Sequence, residues 1–218
     1  MKPLLLILLL FMGCKPTSFY LTPNAVSKRH ATLYLLNNDT IPGQFTVALE
    51  DFYHLRNGAA YPSYVEITPE GKDTAQRIPL NQILGYRMGT TFYALKTVDI
   101  SMNGVQRLLF VQRLTPDSSK IHLYELHESG QANATGESLY SYYLSLPGFG
   151  LRETVNTRGT RVIPQFEAKM SEIVADCPTL AEKIRSKEKG YFIPFVSFGA
   201  RKHPDVLLRI INEYNNCH

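Results

Sequence analysis

Hydrophobic residues change their spacing twice along this chain, and each spacing predicts a different element. They run unbroken from Leu4 to Met12, alternate with polar residues from about Ala31 to Pro147, and recur every three to four positions from Ile163 onward. The first run is about half of the roughly 18 to 20 residues that a helix needs to cross a bilayer core, so it predicts no span. The second predicts strands, whose side chains alternate between two faces. The third predicts amphipathic helices.

In the alternating region, "ATLYLLNNDTIPGQFTVAL" holds two β-rich runs around an Asn37-Asn38-Asp39-Thr40 turn, with Phe45, Val47 and Leu49 set against Gln44, Thr46 and Ala48. This predicts a hairpin. "SYVEIT", "AQRIPLNQILGYRM" and "TFYALKTVDI" continue the pattern, with breaks expected at Pro69, Gly71, Gly85 and Gly89. "QRLLFVQRLT" and "KIHLYELHE" flank the turn signal "PDSS" and predict a second hairpin. "LYSYYLSL" adds a strand with Tyr140, Tyr142, Leu144 and Leu146 on one side, and "PGFGLRETVNTRGTR" ends the pattern. Short strands at this spacing predict an antiparallel sheet, either a sandwich or an open barrel.

Phe166, Met170, Ile173 and Val174 then mark one face of a short helix. Pro178 cannot continue it but suits the first turn of a second helix, for which Asp176 is the expected cap. Leu180 and Ile184 are that helix's apolar edge. A final helix from Pro204 places Asp205 near its positive end and aligns Val206, Leu207, Ile210, Ile211 and Tyr214, a stripe that Cys217 extends. The fold class is therefore α+β: an antiparallel sheet followed by two or three C-terminal helices packed on it.

The N-terminal run has the layout of a secretory signal, with Lys2 ahead of the apolar stretch and a small residue, Gly13, at its end. Phe11-Met12-Gly13-Cys14 resembles the lipobox of bacterial lipoproteins, whose cysteine is acylated and becomes the first mature residue; phenylalanine stands where leucine is usual. The resemblance implies lipidation of Cys14 with palmitate-class chains, several of which anchor stably where one binds marginally. "KPTSFYLTPNAVSKRH" follows and reads as a polar spacer. The expected organisation is a signal peptide over 1–13, a lipidated cysteine and tether over 14–30, a β-rich region over 31–147 and a helical region over 148–218.

Composition narrows the classes. Thirteen tyrosines and eleven phenylalanines with no tryptophan favour strands. The net charge of +4 is spread along the chain, which argues against a nucleic-acid partner. With Cys14 assigned to lipid, Cys177 and Cys217 are the two remaining thiols, and an exported chain meets an oxidising environment, so they are expected to form a bridge. Closing that loop removes roughly 3 to 4 kcal/mol of denatured-state entropy in the chain-entropy model.

Candidate chemistry is sparse. His122 and His127 lie five apart in a strand and point to opposite faces, which does not suit one metal ion. The chain carries no HExxH, GxSxG or phosphate-binding glycine loop. Glu125 and Glu128 flank His127, and Glu50 adjoins Asp51, as surface carboxylates commonly do. No catalytic, metal or cofactor residue is assigned. Arg185, Lys187 and Lys189, with Arg201 and Lys202, are candidates for a basic binding rim suited to anionic headgroups or cell-wall polymers. Tyr191 to Phe198 is the most apolar mature segment, a buried strand or strap, or a patch for a partner.

"NNDTIPGQF", "ADCPTLAEKI" and the closing "EYNNC" together resemble the uncharacterised exported lipoproteins common in Bacteroidota. The resemblance implies a β-rich N-terminal part, a helical C-terminal part and no assigned catalytic activity. The expected function is that of a lipid-anchored, non-catalytic cell-envelope protein on the outer membrane, facing the periplasm. Its partners would be the membrane, through the anchor, and an envelope protein or cell-wall polymer. The alternatives are an envelope glycan or peptide hydrolase using an unfamiliar acid pair such as Glu125 and Glu128, and a carrier of a small apolar ligand inside a barrel.

Overall fold

The computed structural model describes residues 19–49, 63–99, 106–132, 138–145, 151–156, 166–193 and 203–217. Among the described residues eleven antiparallel strands precede three helices: β1 (Phe19–Thr22), β2 (Ala25–Leu35), β3 (Thr40–Ala48), β4 (Tyr64–Pro69), β5 (Gln76–Pro79), β6 (Ile83–Met88), β7 (Thr91–Asp99), β8 (Gln106–Arg113), β9 (His122–Ala132), β10 (Ser138–Ser145), β11 (Leu151–Asn156), α1 (Phe166–Ile173), α2 (Pro178–Arg185) and α3 (His203–Asn215). The strand order is β11-β10-β9-β8-β7-β6-β2-β3-β4-β5, with β1 also on β2. This is the α+β arrangement that the change of period predicts, with the sheet open.

β2 organises the N-terminal half. β3 pairs along it from Ala25 to Tyr34, while on its other side β1 meets its first residues and β6 its last. The register shifts between Val26 and Arg29, where Lys28 has φ of 49°, a bulge that bends the strand. The Asn37–Asp39 turn closes the expected hairpin, with Asn38 at φ 69° and the Asn37 amide bonded to Asp39. Asparagine tolerates that left-handed conformation better than other non-glycine residues.

β8 and β9 pair at only two positions, Gln112 with Glu125 and Arg113 with Tyr124. The outer edge of β8 at Phe110 is instead filled by a side chain: the Asn24 amide donates to the Phe110 carbonyl at 2.9 Å and accepts from the Phe110 N–H at 2.6 Å. Asn24 and Thr22 are buried, and the Tyr86 hydroxyl donates to the Pro23 carbonyl at 2.9 Å. The β1–β2 turn is thus part of the interior. Beneath it lie Phe45, Tyr86, Tyr93 and Phe110, with ring centres 4.5 to 6.2 Å apart, within the range where aromatic pairs gain beyond simple burial.

A second core lies between the sheet and the helices. Ile121, Leu123, Tyr142 and Leu144 pack with Phe166, Met170, Val174, Leu180, Ile184, Leu207, Ile210 and Ile211. Tyr124, Leu126 and Tyr143, from the same two strands, belong to the first core. The β9–β10 pair is therefore a wall shared by both, because successive residues of a strand face opposite sides.

Four expectations need correction. Residues 19–30, assigned to the tether, form β1 and the start of β2, where Thr22 and Asn24 are buried while Lys28, Arg29 and His30 stay exposed. The region from 148 holds one further strand, β11, paired with β10. Gly85 breaks no strand: it sits within β6, where a Cβ would fall 2.4 Å from the Tyr93 carbonyl oxygen. Asp176 does not cap α2, whose N-cap is Cys177 without a side-chain bond; the Asp176 carboxylate accepts from the Tyr214 hydroxyl at 2.8 Å. Gly85→Ala is expected to lower the stability to chemical denaturation by about 2 kcal/mol or more, because backbone rather than a flexible side chain must yield.

Candidate functional site

Cys14 lies outside the described residues. Cys177 and Cys217 stand at disulfide-bonding distance with Cα atoms 6.0 Å apart, inside the range a bridge requires. Cys177 is buried at the α1–α2 junction, whereas Cys217 is exposed just beyond α3, so the apolar stripe of α3 stops short of it. The bridge is one of several ties on this layer. Lys183 donates to Glu213 at 2.7 Å, and the Tyr191 hydroxyl donates to the other oxygen of the same carboxylate. Burial raises the Glu213 pKa, but the bonds from Lys183 and Tyr191 outweigh it and leave the carboxyl below its ordinary range.

The basic rim is largely neutralised where it is described. Arg185 pairs with Glu182 and Lys187 with Glu167, each at 2.7 Å, while Lys189 is exposed without an ion pair among the described residues. Arg201 and Lys202 lie outside the described residues. Such exposed pairs contribute little to stability. Of the apolar segment from Tyr191, residues 191–193 are described: Ile193 is buried in the helical core and the backbone is irregular rather than a strand. Phe195 to Phe198 lie outside the description, as does the side chain of Glu128.

Glu125 occupies the helix-facing side of the shared wall. It stands opposite Tyr142, which hydrogen-bonds to it, and the next pair along is His127 with Tyr140, stacked with ring centres 5.0 Å apart. Burial pushes the Glu125 carboxyl above its ordinary range, against the Tyr142 hydrogen bond and the nearby His127. Tyr142 is pushed up as well, by burial first and then by Glu125. His122 turns away from His127, toward Thr115, whose hydroxyl lies 3.2 Å from its Nδ1. Among the described residues no three His, Cys, Asp or Glu side chains could hold a metal ion, and no helix is long and apolar enough to cross a membrane.

The opposite side of the same wall carries a cluster that reading the strands for alternation missed. β6 to β9 set Arg87, Phe92, Arg113 and Tyr124 side by side: Arg87 pairs with Phe92, the Arg113 guanidinium lies 4.5 Å from the Phe92 ring centre, and Arg113 pairs with Tyr124. Lys96 shares the face of Phe92, Ala94 and Val98, with its Nζ 5.6 Å from the Tyr124 ring centre. Burial and then Arg113 lower the Lys96 pKa. Burial lowers Arg113, with Arg87 acting in the same sense. His122 is lowered by burial and then by Arg113 and Lys96, which favours a neutral ring able to accept from Thr115. The available signal was a lone cation at an inward position, Lys96 between the buried Ala94 and Val98.

An open groove also crosses β2, β3 and β4, lined by Lys28, His30, Gln44, Thr46, Glu66 and Glu70 among others, with a volume of about 540 Å³. Among its charges His30 meets Glu70 at 2.8 Å, both well exposed, and Glu66 accepts from Arg77 at 3.0 Å.

No family model, curated protein or solved structure matches the chain.

The raised carboxyl of Glu125 gives a pH signature. A folded-state pKa above the unfolded value favours the protonated form, so the contribution is fully present below the unfolded pKa and is lost as pH rises through the folded one. Glu125→Gln, which keeps an acceptor for Tyr142, is expected to raise Tm at about pH 7, and the difference from wild type to close by about pH 4. Thermal denaturation of both proteins across that range checks the sign.

Proposed function

We propose that the protein is a lipid-anchored, non-catalytic binding domain of the cell envelope, attached through acyl chains on Cys14 to the outer membrane and facing the periplasm. The pairing of Cys177 with Cys217 carries this reading. A bridge that closes 40 residues of chain belongs to an oxidising compartment and supports an exported protein over a cytosolic one. The lipobox-like FMGC supplies the anchor, and the likeness to exported Bacteroidota lipoproteins agrees with both.

Cys14 is five residues from the start of β1, and five extended residues reach at most about 17 Å. A lipid on Cys14 therefore holds the sheet close to the bilayer surface. Partners that fit such a position are another envelope protein or a cell-wall polymer, not nucleic acid.

Intact-mass measurement of protein extracted from membranes in detergent tests this. The expected species begins at Cys14, carries the added mass of fatty acyl chains, and takes up two alkyl groups only after reduction. An unacylated chain that retains residues 1–13, or one alkylated at Cys177 and Cys217 without reduction, overturns it.

A further inference from the structure

Arg87, Lys96 and Arg113 converge from three adjacent strands on the rings of Phe92 and Tyr124, with Arg87 5.6 Å from the Phe92 ring centre and Arg113 4.5 Å from it. One carboxylate bonds to this group among the described residues, Asp117 on Arg113, and its side chain is 71% exposed. Arg87 donates to neutral acceptors, the Tyr34 hydroxyl and the Thr90 carbonyl, each at 3.3 Å. The Lys96 ammonium has neither a carboxylate nor a hydrogen-bond acceptor among the described residues, only the face of Tyr124. Three partly buried cations with a single carboxylate leave two positive charges in a place walled by apolar rings. An ammonium has three donors to fill, and withdrawing it from water without an acceptor is unfavourable.

We propose that this cluster is a binding site for a phosphate-class dianion. A net charge of two matches a phosphate or phosphomonoester better than a single carboxylate, and guanidinium forks beside an ammonium are the groups that recognise phosphate oxygens most strongly. The low-dielectric walls of Phe92 and Tyr124 strengthen that attraction relative to an exposed lysine patch. Burial first, and then a neighbouring cation, lowers both pKa values, Arg113 acting on Lys96 and Arg87 on Arg113, and a bound dianion offsets both effects. The site lies on the face of the β9–β10 wall away from the helices, and it stands whether or not Cys14 carries lipid.

Calorimetric titration of the purified full chain with inorganic phosphate, with chloride as a control at matched ionic strength, tests the assignment. Wild type is expected to bind phosphate over chloride, and Lys96→Met, which keeps the volume and removes the charge, to bind it about tenfold more weakly. Without phosphate the same variant is expected to melt above wild type, which separates lost recognition from misfolding. Lys169→Met, on the exposed side of α1, is expected to bind as wild type does. Tighter binding of glycerol 1-phosphate than of inorganic phosphate identifies an esterified ligand such as a headgroup, and equal or weaker binding identifies the free ion; either upholds the site. Glu153 holds the register position opposite Tyr143, beside Tyr124, and its side chain lies outside the described residues. Should that carboxylate neutralise the cluster, phosphate will bind no better than chloride, and the proposal fails; equal phosphate affinity in wild type and Lys96→Met overturns it too.

Discussion

Strands that pair over only two residues leave backbone groups along their edges without a partner, and at the β8 edge Asn24 answers for those of Phe110. Its side-chain amide reproduces what a neighbouring peptide would offer Phe110, one donor and one acceptor. Around it the Leu49 N–H donates to the Asn24 carbonyl, and Arg107 donates to the Leu49 carbonyl. A buried backbone group left without a partner costs about 1 to 3 kcal/mol, so the edge of β8 depends on this turn being seated. Once it is, the N-terminal segment can no longer be a free tether. The cysteine at position 14 is five residues from the start of the first strand.

β9 and β10 serve two cores, because their successive residues face opposite sides. One face completes the aromatic interior of Phe45, Tyr86 and Phe110; the other receives α1, α2 and α3. Polar groups on such a wall have few places to go. Glu125 settles against Tyr142 under the helical layer, while Arg113 and Lys96 approach from the other side and meet aromatic faces. The helical layer is itself held by side-chain ties, Tyr214 to Asp176 and the Lys183–Glu213–Tyr191 set, beside the cysteine bridge. Removing the bridge alone would therefore act mainly on the denatured chain.

Much of this was legible in the order of residues. Alternation marked the strands from Ala31, the Asn37–Asp39 turn and the "PDSS" turn, and the three-to-four spacing of Met170, Leu180, Ile184, Ile210 and Ile211 marked the helical face. The pairing of Cys177 with Cys217 followed from there being two thiols left. What escaped was set by contacts distant in sequence. Asn24 and Thr22 have the composition of a loop and are buried because Phe110, 86 residues away, needs a partner. Gly85 has the look of a break and is instead a point where two strands run too close for a Cβ. Lys96 sits at an inward position of a strand, a conflict that alternation displays once a cation is not assumed to face water.

Native-state hydrogen exchange at the Phe110 amide tests the closure most directly. With Asn24 as its acceptor, that amide is expected to exchange only on global unfolding, alongside the strand-paired amides of β7, and in Asn24→Ala it is expected to exchange before them. If the Phe110 amide of the wild-type protein exchanges as fast as an exposed edge amide while β7 stays protected, the turn is not seated, and this account of the β8 edge is wrong.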